Sequence, residues 1–198
     1  MSSRPSRMSK AVSSDQPAEP MSALRRAPMR RKKAELVEVL VELAERDRGM
    51  LRQLTARFEV ATPPDELLSA TRQAILDATH FDVRQINRNF DYDYVAYDEV
   101  KRNLRRPIES GQLRPSMTLA LELMKRGSYQ VEMSDEGLMT GEIETCLSEV
   151  IGALKTSDLP ASEVLAWCAT MLKTDRVGFI AHEAIEALQS HWKRIAAS

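Results

Sequence analysis

Apolar residues recur every three or four positions from residue 31 to the end of the chain, whereas the alternation typical of β-strands is nearly absent. This spacing predicts a succession of amphipathic helices. Their apolar stripes or start signals lie at or near Arg31, Asp47, Thr62, Tyr92, Pro115, Ile143, Pro160 and Ala181. We therefore expect an all-α domain with seven or eight helices over residues 31–197.

Two helix starts carry specific capping signals. Asp47 is a plausible N-cap for a short helix whose apolar face holds Met50, Leu51, Leu54 and Phe58. Thr62 is followed by Pro63, a residue favoured in the first helical turn, so the sequence predicts a helix that begins directly after Thr62.

Proline and glycine predict where other helices end. Pro107 should kink or end the helix that begins near Tyr92, because proline lacks the amide hydrogen that a helix interior needs. Gly127 is expected to stop the helix opened by Pro115. Residues 128–133 alternate weakly and read either as a helix extension or as a short extended stretch.

The helix starts at Pro64, Pro115 and Pro160 are separated by 51 and 45 residues, close to the period of about 40–47 residues of two-helix solenoid repeats. The residues themselves do not repeat. We therefore predict stacked antiparallel helix pairs, either HEAT- or TPR-like or an irregular helical bundle. Residues 31–198 form this helical domain, and residues 1–30 form a basic tail.

Composition narrows the class without naming a function. The 198 residues are 43% hydrophobic and 29% charged, which suits a globular domain and excludes a wholly disordered chain. No run of 18 apolar residues without a charge occurs, so no transmembrane helix is expected. Two cysteines are too few for a disulfide scaffold and favour a reducing, cytoplasmic location.

Charge is distributed unevenly along the chain. Residues 1–33 hold nine cationic and two acidic residues, a net charge of +7, and the remainder has a net charge of −8. Residues 1–29 are rich in Ser, Pro and Arg and poor in large apolar side chains, so we expect them to be disordered. A transit peptide, or an upstream start with Met8, Met21 or Met29 as the true first residue, is an alternative.

Two groups of cations are candidate polyanion contacts. Basic side chains can displace the counterions of nucleic-acid phosphates, but no aromatic residues are interleaved here to stack on bases. Pairing of the second group with Glu99 and Glu109 is the alternative. The candidates are Arg25, Arg26, Arg30, Arg31, Lys32 and Lys33 in the first group, and Lys101, Arg105 and Arg106 in the second.

Acidic and tyrosine residues give a candidate partner surface. Tyr92, Asp93 and Tyr94 stand at the start of a predicted helix, and Asp135 and Glu136 lie in an acidic loop. Acids in a first helical turn complement the helix dipole, and tyrosines at this spacing can pack on a core, so a structural role is the competing interpretation.

No constellation for catalysis or metal binding stands out. His182 and His191 are nine residues apart, which places their rings on opposite sides of a helix, and His80 is distant in sequence. Cys146 and Cys168 lie on apolar helix faces, as buried thiols do. The sequence contains no glycine-rich phosphate loop and no nucleophile elbow. We predict no enzymatic activity, no cofactor and no bound metal.

Several segments together resemble the helical, non-zinc region of bacterial SWIM-type zinc-finger proteins. The resemblance covers roughly residues 35–180. It rests on Leu40–Asp47, on Asp93-Tyr94-Val95, on Ser134-Asp135-Glu136-Gly137 before the Ile143, Leu147 and Ile151 stripe, and on Glu163–Met171. The paired cysteine and histidine ligands of the zinc finger are absent from this sequence. The resemblance implies a helical interaction module and supplies no catalytic residues.

These observations predict a non-catalytic helical module of the bacterial cytoplasm that binds another protein. A nucleic-acid-associated adaptor that uses the basic N-terminal segment is the alternative. A membrane partner is not expected, and the oligomeric state stays open.

Overall fold

The computed structural model describes residues 20–58, 60, 62–88, 91–134 and 140–197. The chain divides into two compact units, Met1–Arg46 and Asp47–Ser198. The described residues contain helices and no β-strand, so the predicted all-α class is confirmed. None of the described helices combines the length and the apolar character that a bilayer crossing requires.

The first unit holds two helices, α1 (Pro20–Arg26) and α2 (Lys33–Arg46), with a 3-10 turn at Pro28–Arg30 between them. The tail predicted to be disordered thus falls partly on these short elements and partly on residues 1–19, which lie outside the described residues. No residue of α2 is buried.

The second unit consists of seven described helices that pack on one another in a stacked arrangement. Helix α5 contacts α3, α4, α6 and α7, and α6 also contacts α4, α7 and α8. The last two helices, α8 and α9, pack against each other, and α9 also contacts α7. The helices are α3 (Arg48–Arg57), α4 (Leu67–Ala78), α5 (Tyr94–Glu109), α6 (Leu113–Glu132), α7 (Gly141–Lys155), α8 (Ala161–Thr174) and α9 (His182–Ala196).

The core lies around α5, α6 and α7, where large side chains such as Leu104, Leu123 and Leu147 are fully buried. The indole nitrogens of the two tryptophans in this core have hydrogen-bond partners. The Trp167 indole N–H donates to the carbonyl oxygen of Met117 at 2.9 Å, and the Trp192 indole N–H donates to that of Leu154 at 3.1 Å. The tryptophans therefore bury their rings without losing a hydrogen bond.

The predicted helix start at Thr62 is wrong, because α4 begins only at Leu67. Pro64 disfavours the helical conformation of the residue before it, which is Pro63. Instead the chain makes a turn in which the amide of Glu66 donates to the carbonyl oxygen of Pro63 at 3.1 Å. The second proline thus delays the helix that the first one favours.

Two other helices continue past a residue at which the sequence predicts an interruption. Pro107 lies inside α5, which continues for two more residues to Glu109. Gly127 does not stop α6, which runs on to Glu132, so residues 128–132 belong to the helix. A Cβ atom at Gly127 would lie 2.7 Å from Cδ1 of Ile143 in α7. This glycine therefore permits the close approach of two helices.

We expect Gly127→Ala to be less stable than Gly152→Ala by about 1–3 kcal/mol, the usual cost of overpacking. Gly152 lies in α7 with open space around its Cα, so both variants gain the same helix propensity and only Gly127→Ala meets a neighbour. Urea denaturation of the two variants measures the difference. Equal stabilities would contradict the packing role of Gly127.

Candidate functional site

Arg52 of α3 is the buried centre of an ionic cluster whose acidic members are partly exposed. It is 8% exposed, although the helix that carries it has no other buried residue. Its Nη1 lies 3.0 Å from Asp93 Oδ2, its Nε lies 3.0 Å from Glu99 Oε2, and its Nη2 bonds to Asp77 Oδ2. We call these four residues the Arg52 cluster. Arg52 comes from α3, Asp77 from α4, Asp93 from the start of α5 and Glu99 from α5 itself.

The Arg52 cluster joins three helices and also sets the start of one of them. Asp93 is the N-cap of α5, and its Oδ1 accepts a hydrogen bond from the amide of Ala96 at 2.9 Å. Arg48 adds a second cation, 3.6 Å from Asp77. Burial raises the pKa of Glu99, and the charges of Arg52 and Arg102 oppose that rise.

The sequence did not single out Arg52. The apolar residues of α3 were expected to face the core, but Leu51 is 48% exposed and Phe58 is 61% exposed. The helix is instead held by its arginine. The signal that was available is indirect: Asp77, Asp93 and Glu99 are acids next to apolar stripes, where an unpaired charge is costly and a cationic partner is expected.

Two adjoining cavities, of about 340 and about 260 Å³, lie beside the Arg52 cluster. Residues of α3 and α5 line both cavities, and residues of α4 also line the larger one. Both are lined by Thr55, Thr62, Glu99 and Arg102. We refer to the two cavities together as the polar cleft. Its larger part borders the Arg52 cluster at Arg52 and Asp77.

One face of α5 supplies the polar wall of the smaller cavity. Glu99, Arg102, Asn103 and Arg106 are spaced by three, one and three residues, so they share a helix face. Nη1 of Arg106 donates to the carbonyl oxygen of Thr62 at 2.6 Å. Asn103 is 5% exposed, and among the described residues no hydrogen-bond partner faces its Nδ2.

The two groups of cations predicted to contact polyanions differ in their exposure and in their ion pairs. Arg25, Arg26, Arg30, Arg31, Lys32 and Lys33 are all exposed, and Arg31 lies 3.6 Å from Glu35. In the second group, Lys101 and Arg105 share Glu149, at 3.8 and 2.6 Å, rather than Glu99 or Glu109. Arg106 faces the polar cleft. The structure therefore does not gather these three side chains on one open surface.

The residues of the predicted partner surface differ in their exposure and contacts. Asp93 is engaged in the Arg52 cluster, and the half-buried Tyr92 packs edge-on against Tyr97 with ring centroids 5.7 Å apart. Tyr94 is 50% exposed. Asp135 and Glu136 lie outside the described residues.

The histidines and cysteines occupy separate places. His182 Nε2 lies 3.3 Å from Glu186, and His191 Nε2 lies 3.1 Å from the carbonyl oxygen of Lys155. Cys146 and Cys168 are buried free thiols. Within the described ranges, no three histidine, cysteine or acidic side chains lie close enough together to hold a metal ion.

The helix α2 presents a second candidate surface. Its apolar residues cover roughly 200° of its circumference at 100° per residue. Val37, Val39, Val41 and Leu43 are each more than 40% exposed. Leu36 and Leu40 are half-buried, and no residue of this helix is fully buried.

We expect the protein to lose stability as the pH rises above about 9. Burial raises the pKa of the Cys146 thiol to about 12. Between about pH 9 and pH 12 the unfolded chain has lost this proton and the folded chain still binds it, so unfolding becomes easier by about 1.4 kcal/mol per pH unit. Urea denaturation at pH 8, 9.5 and 10.5 under reducing conditions measures the slope.

The variant Cys146→Ala serves as the control for this pH dependence. It should lower stability at pH 8, because a buried side chain is shortened, and it should also make the decline with pH shallower. An equally steep decline in the variant would contradict the contribution of Cys146.

Comparisons with protein-family models, with curated proteins and with solved structures return no match to this chain. The proposals that follow therefore rest on the residues and contacts described above.

Proposed function

We propose that this protein is a non-catalytic interaction module that binds another protein through α2. The carrying observation is the set of apolar side chains on α2, none of which is buried. Full burial of a valine or leucine side chain contributes about 1.5–3 kcal/mol, so a partner that covers this helix gains substantial free energy. A helix with an apolar face of this width usually turns that face toward a protein core.

The acidic residues of α2 lie away from its apolar face. Glu35, Glu38, Glu42 and Glu45 follow a spacing of three, four and three residues, so they form one narrow stripe on the opposite side of the helix. They therefore stay in water when the apolar face is covered. The partner we propose is a helical segment of another protein with an apolar stripe, which would bury the apolar face of α2 as amphipathic helices do in grooves and coiled coils.

A nucleic-acid-associated adaptor is the second candidate function. It is favoured by the exposed cations between Arg25 and Lys33. It is opposed by the net charge of −8 over residues 34–198, which repels a polyanion, and by the pairing of Lys101 and Arg105 with Glu149. The resemblance to the helical region of SWIM-type proteins and the two reduced cysteines favour a protein partner in a bacterial cytoplasm.

Affinity capture with the full chain from an extract of the native cell, with and without nuclease and at two salt concentrations, separates the two candidates. We expect one protein partner whose recovery survives nuclease and high salt and that carries an amphipathic helical segment with an apolar stripe. Recovery that is abolished by nuclease, with affinity falling by about one power of salt concentration per phosphate contacted, would overturn the proposal in favour of the adaptor.

A further inference from the structure

We propose that the smaller cavity of the polar cleft binds a small organic anion through its carboxylate or phosphate group. This inference concerns a different surface from α2 and stands independently of the proposed function. The cavity has a volume of about 260 Å³ and is continuous in its lining with the neighbouring cavity of about 340 Å³. Together they fall within the range of about 300–1,000 Å³ that is typical of small-molecule sites.

The side-chain amide of Asn103 lacks a hydrogen-bond partner within the described part of this cavity. Buried polar groups in folded proteins almost always have a hydrogen-bond partner, so an exception requires an explanation. Asn103 is 5% exposed and lines the cavity, and its Nδ2 has no partner among the described residues. An amide nitrogen donates, so the missing partner is an acceptor, such as a carboxylate or phosphate oxygen.

Positive charge surrounds Asn103 and favours an anion. Arg102 and Arg106 stand one residue before and three residues after it on the same face of α5. A guanidinium has five N–H donors, and the contact of Arg106 with the carbonyl oxygen of Thr62 uses one of them. The remaining donors suit the paired oxygens of a carboxylate or phosphate.

One acid also lines this wall. Glu99 lies 3.0 Å from the Nε of Arg52, and the charge of Arg102 also acts on it. The smaller cavity therefore holds two arginines, Arg102 and Arg106, against one carboxylate that is shared with Arg52, so its net charge is positive. Thr55 adds a hydroxyl group to the same lining.

Titration of the full-length protein, labelled with nitrogen-15, tests this site by NMR. The probes are inorganic phosphate and acetate, each added at constant ionic strength with chloride as the balancing anion. We expect the side-chain amide signals of Asn103 to shift in a saturable manner with at least one probe. Saturation with phosphate alone shows that the site prefers a phosphate group, and saturation with acetate alone shows that it prefers a carboxylate.

Two variants separate binding from folding. Asn103→Asp replaces the donor by an acceptor of nearly the same shape, and the affinity should fall at least 10-fold, followed through the backbone signals of α5. Arg102→Gln changes an exposed residue, so it should keep the native spectrum while the affinity again falls about 10-fold. The matched control is Arg114→Gln, whose arginine pairs with Glu163 on another surface and which should bind as the parent protein does.

The proposal would be overturned by shifts that stay linear for both probes up to 100 mM. It would also be overturned by saturable binding that is unchanged in Arg102→Gln, or that is weakened in Arg114→Gln to the same degree as in Arg102→Gln.

Discussion

Replacement of Arg52 by methionine is expected to lower the free energy of unfolding by about 2–3 kcal/mol, because the buried guanidinium is lost while its partly exposed acidic partners keep some contact with water. The loss leaves the three carboxylates of Asp77, Asp93 and Glu99 near one another, with Arg48, 3.6 Å from Asp77, as a remaining cation. Methionine fills most of the volume of the arginine stem, so the effect reports charge rather than a cavity. Urea denaturation measures the loss, and hydrogen exchange should show it first in α3.

The control for this variant is Arg114→Met, which removes an exposed arginine from its pair with Glu163. We expect only a small fraction of the loss seen for Arg52, because exposed ion pairs are screened by water and salt. The double variant Arg52→Met with Glu99→Gln should recover part of the stability, since it removes one of the unpaired acids. If Arg52→Met were as stable as Arg114→Met, the cluster would not be the element that holds α3.

The double substitution Val37→Gln with Val41→Gln is expected to weaken binding of the protein partner about 30-fold. The two residues are one turn apart on α2 and are 46% and 48% exposed, so each has about half of its surface left to bury. Half of a valine side chain corresponds to about 1 kcal/mol, and about 2 kcal/mol for the pair gives the stated factor. Glutamine preserves helix propensity.

The matched control is the pair Leu68→Gln and Ile195→Gln, which are exposed apolar residues of α4 and α9. Binding measured by titration calorimetry with the captured partner should be unchanged in this control. An equal loss in both double variants would indicate a general effect of surface polarity, and no loss in either would remove α2 from the interface.

The periodicity of the sequence was sufficient for most of the fold. Local signals are reliable where the neighbouring residues agree with them: Asp47 caps α3 as predicted, accepting a hydrogen bond from the amide of Met50 at 3.1 Å. They fail where a second effect competes, as when Pro64 overrides the start signal at Pro63. Gly127 was interpreted as a stop because its reason lies in a different helix, at Ile143.

The candidate site was harder to predict because it depends on which helices meet. A spacing pattern shows which residues share a face of α5. It does not show which helix lies opposite that face, so the position of Arg102, Asn103 and Arg106 opposite α3 could not be predicted. Arg52 reads as an ordinary surface residue until three acids from other segments surround it. Likewise, the apolar stripe of α2 predicts burial, and the sequence alone does not say whether the covering surface belongs to the same chain.

Site-specific photo-cross-linking from position 39 of α2, in the native cell, tests the central claim most directly. Val39 is 51% exposed on the apolar face, and Ile195 of α9, 48% exposed, is the control position. We predict a cross-link from position 39 to an amphipathic helical segment of another protein, and no such product from position 195. Cross-links from position 39 only to nucleic acid or to a second copy of this chain, or no product above that of position 195, would contradict it.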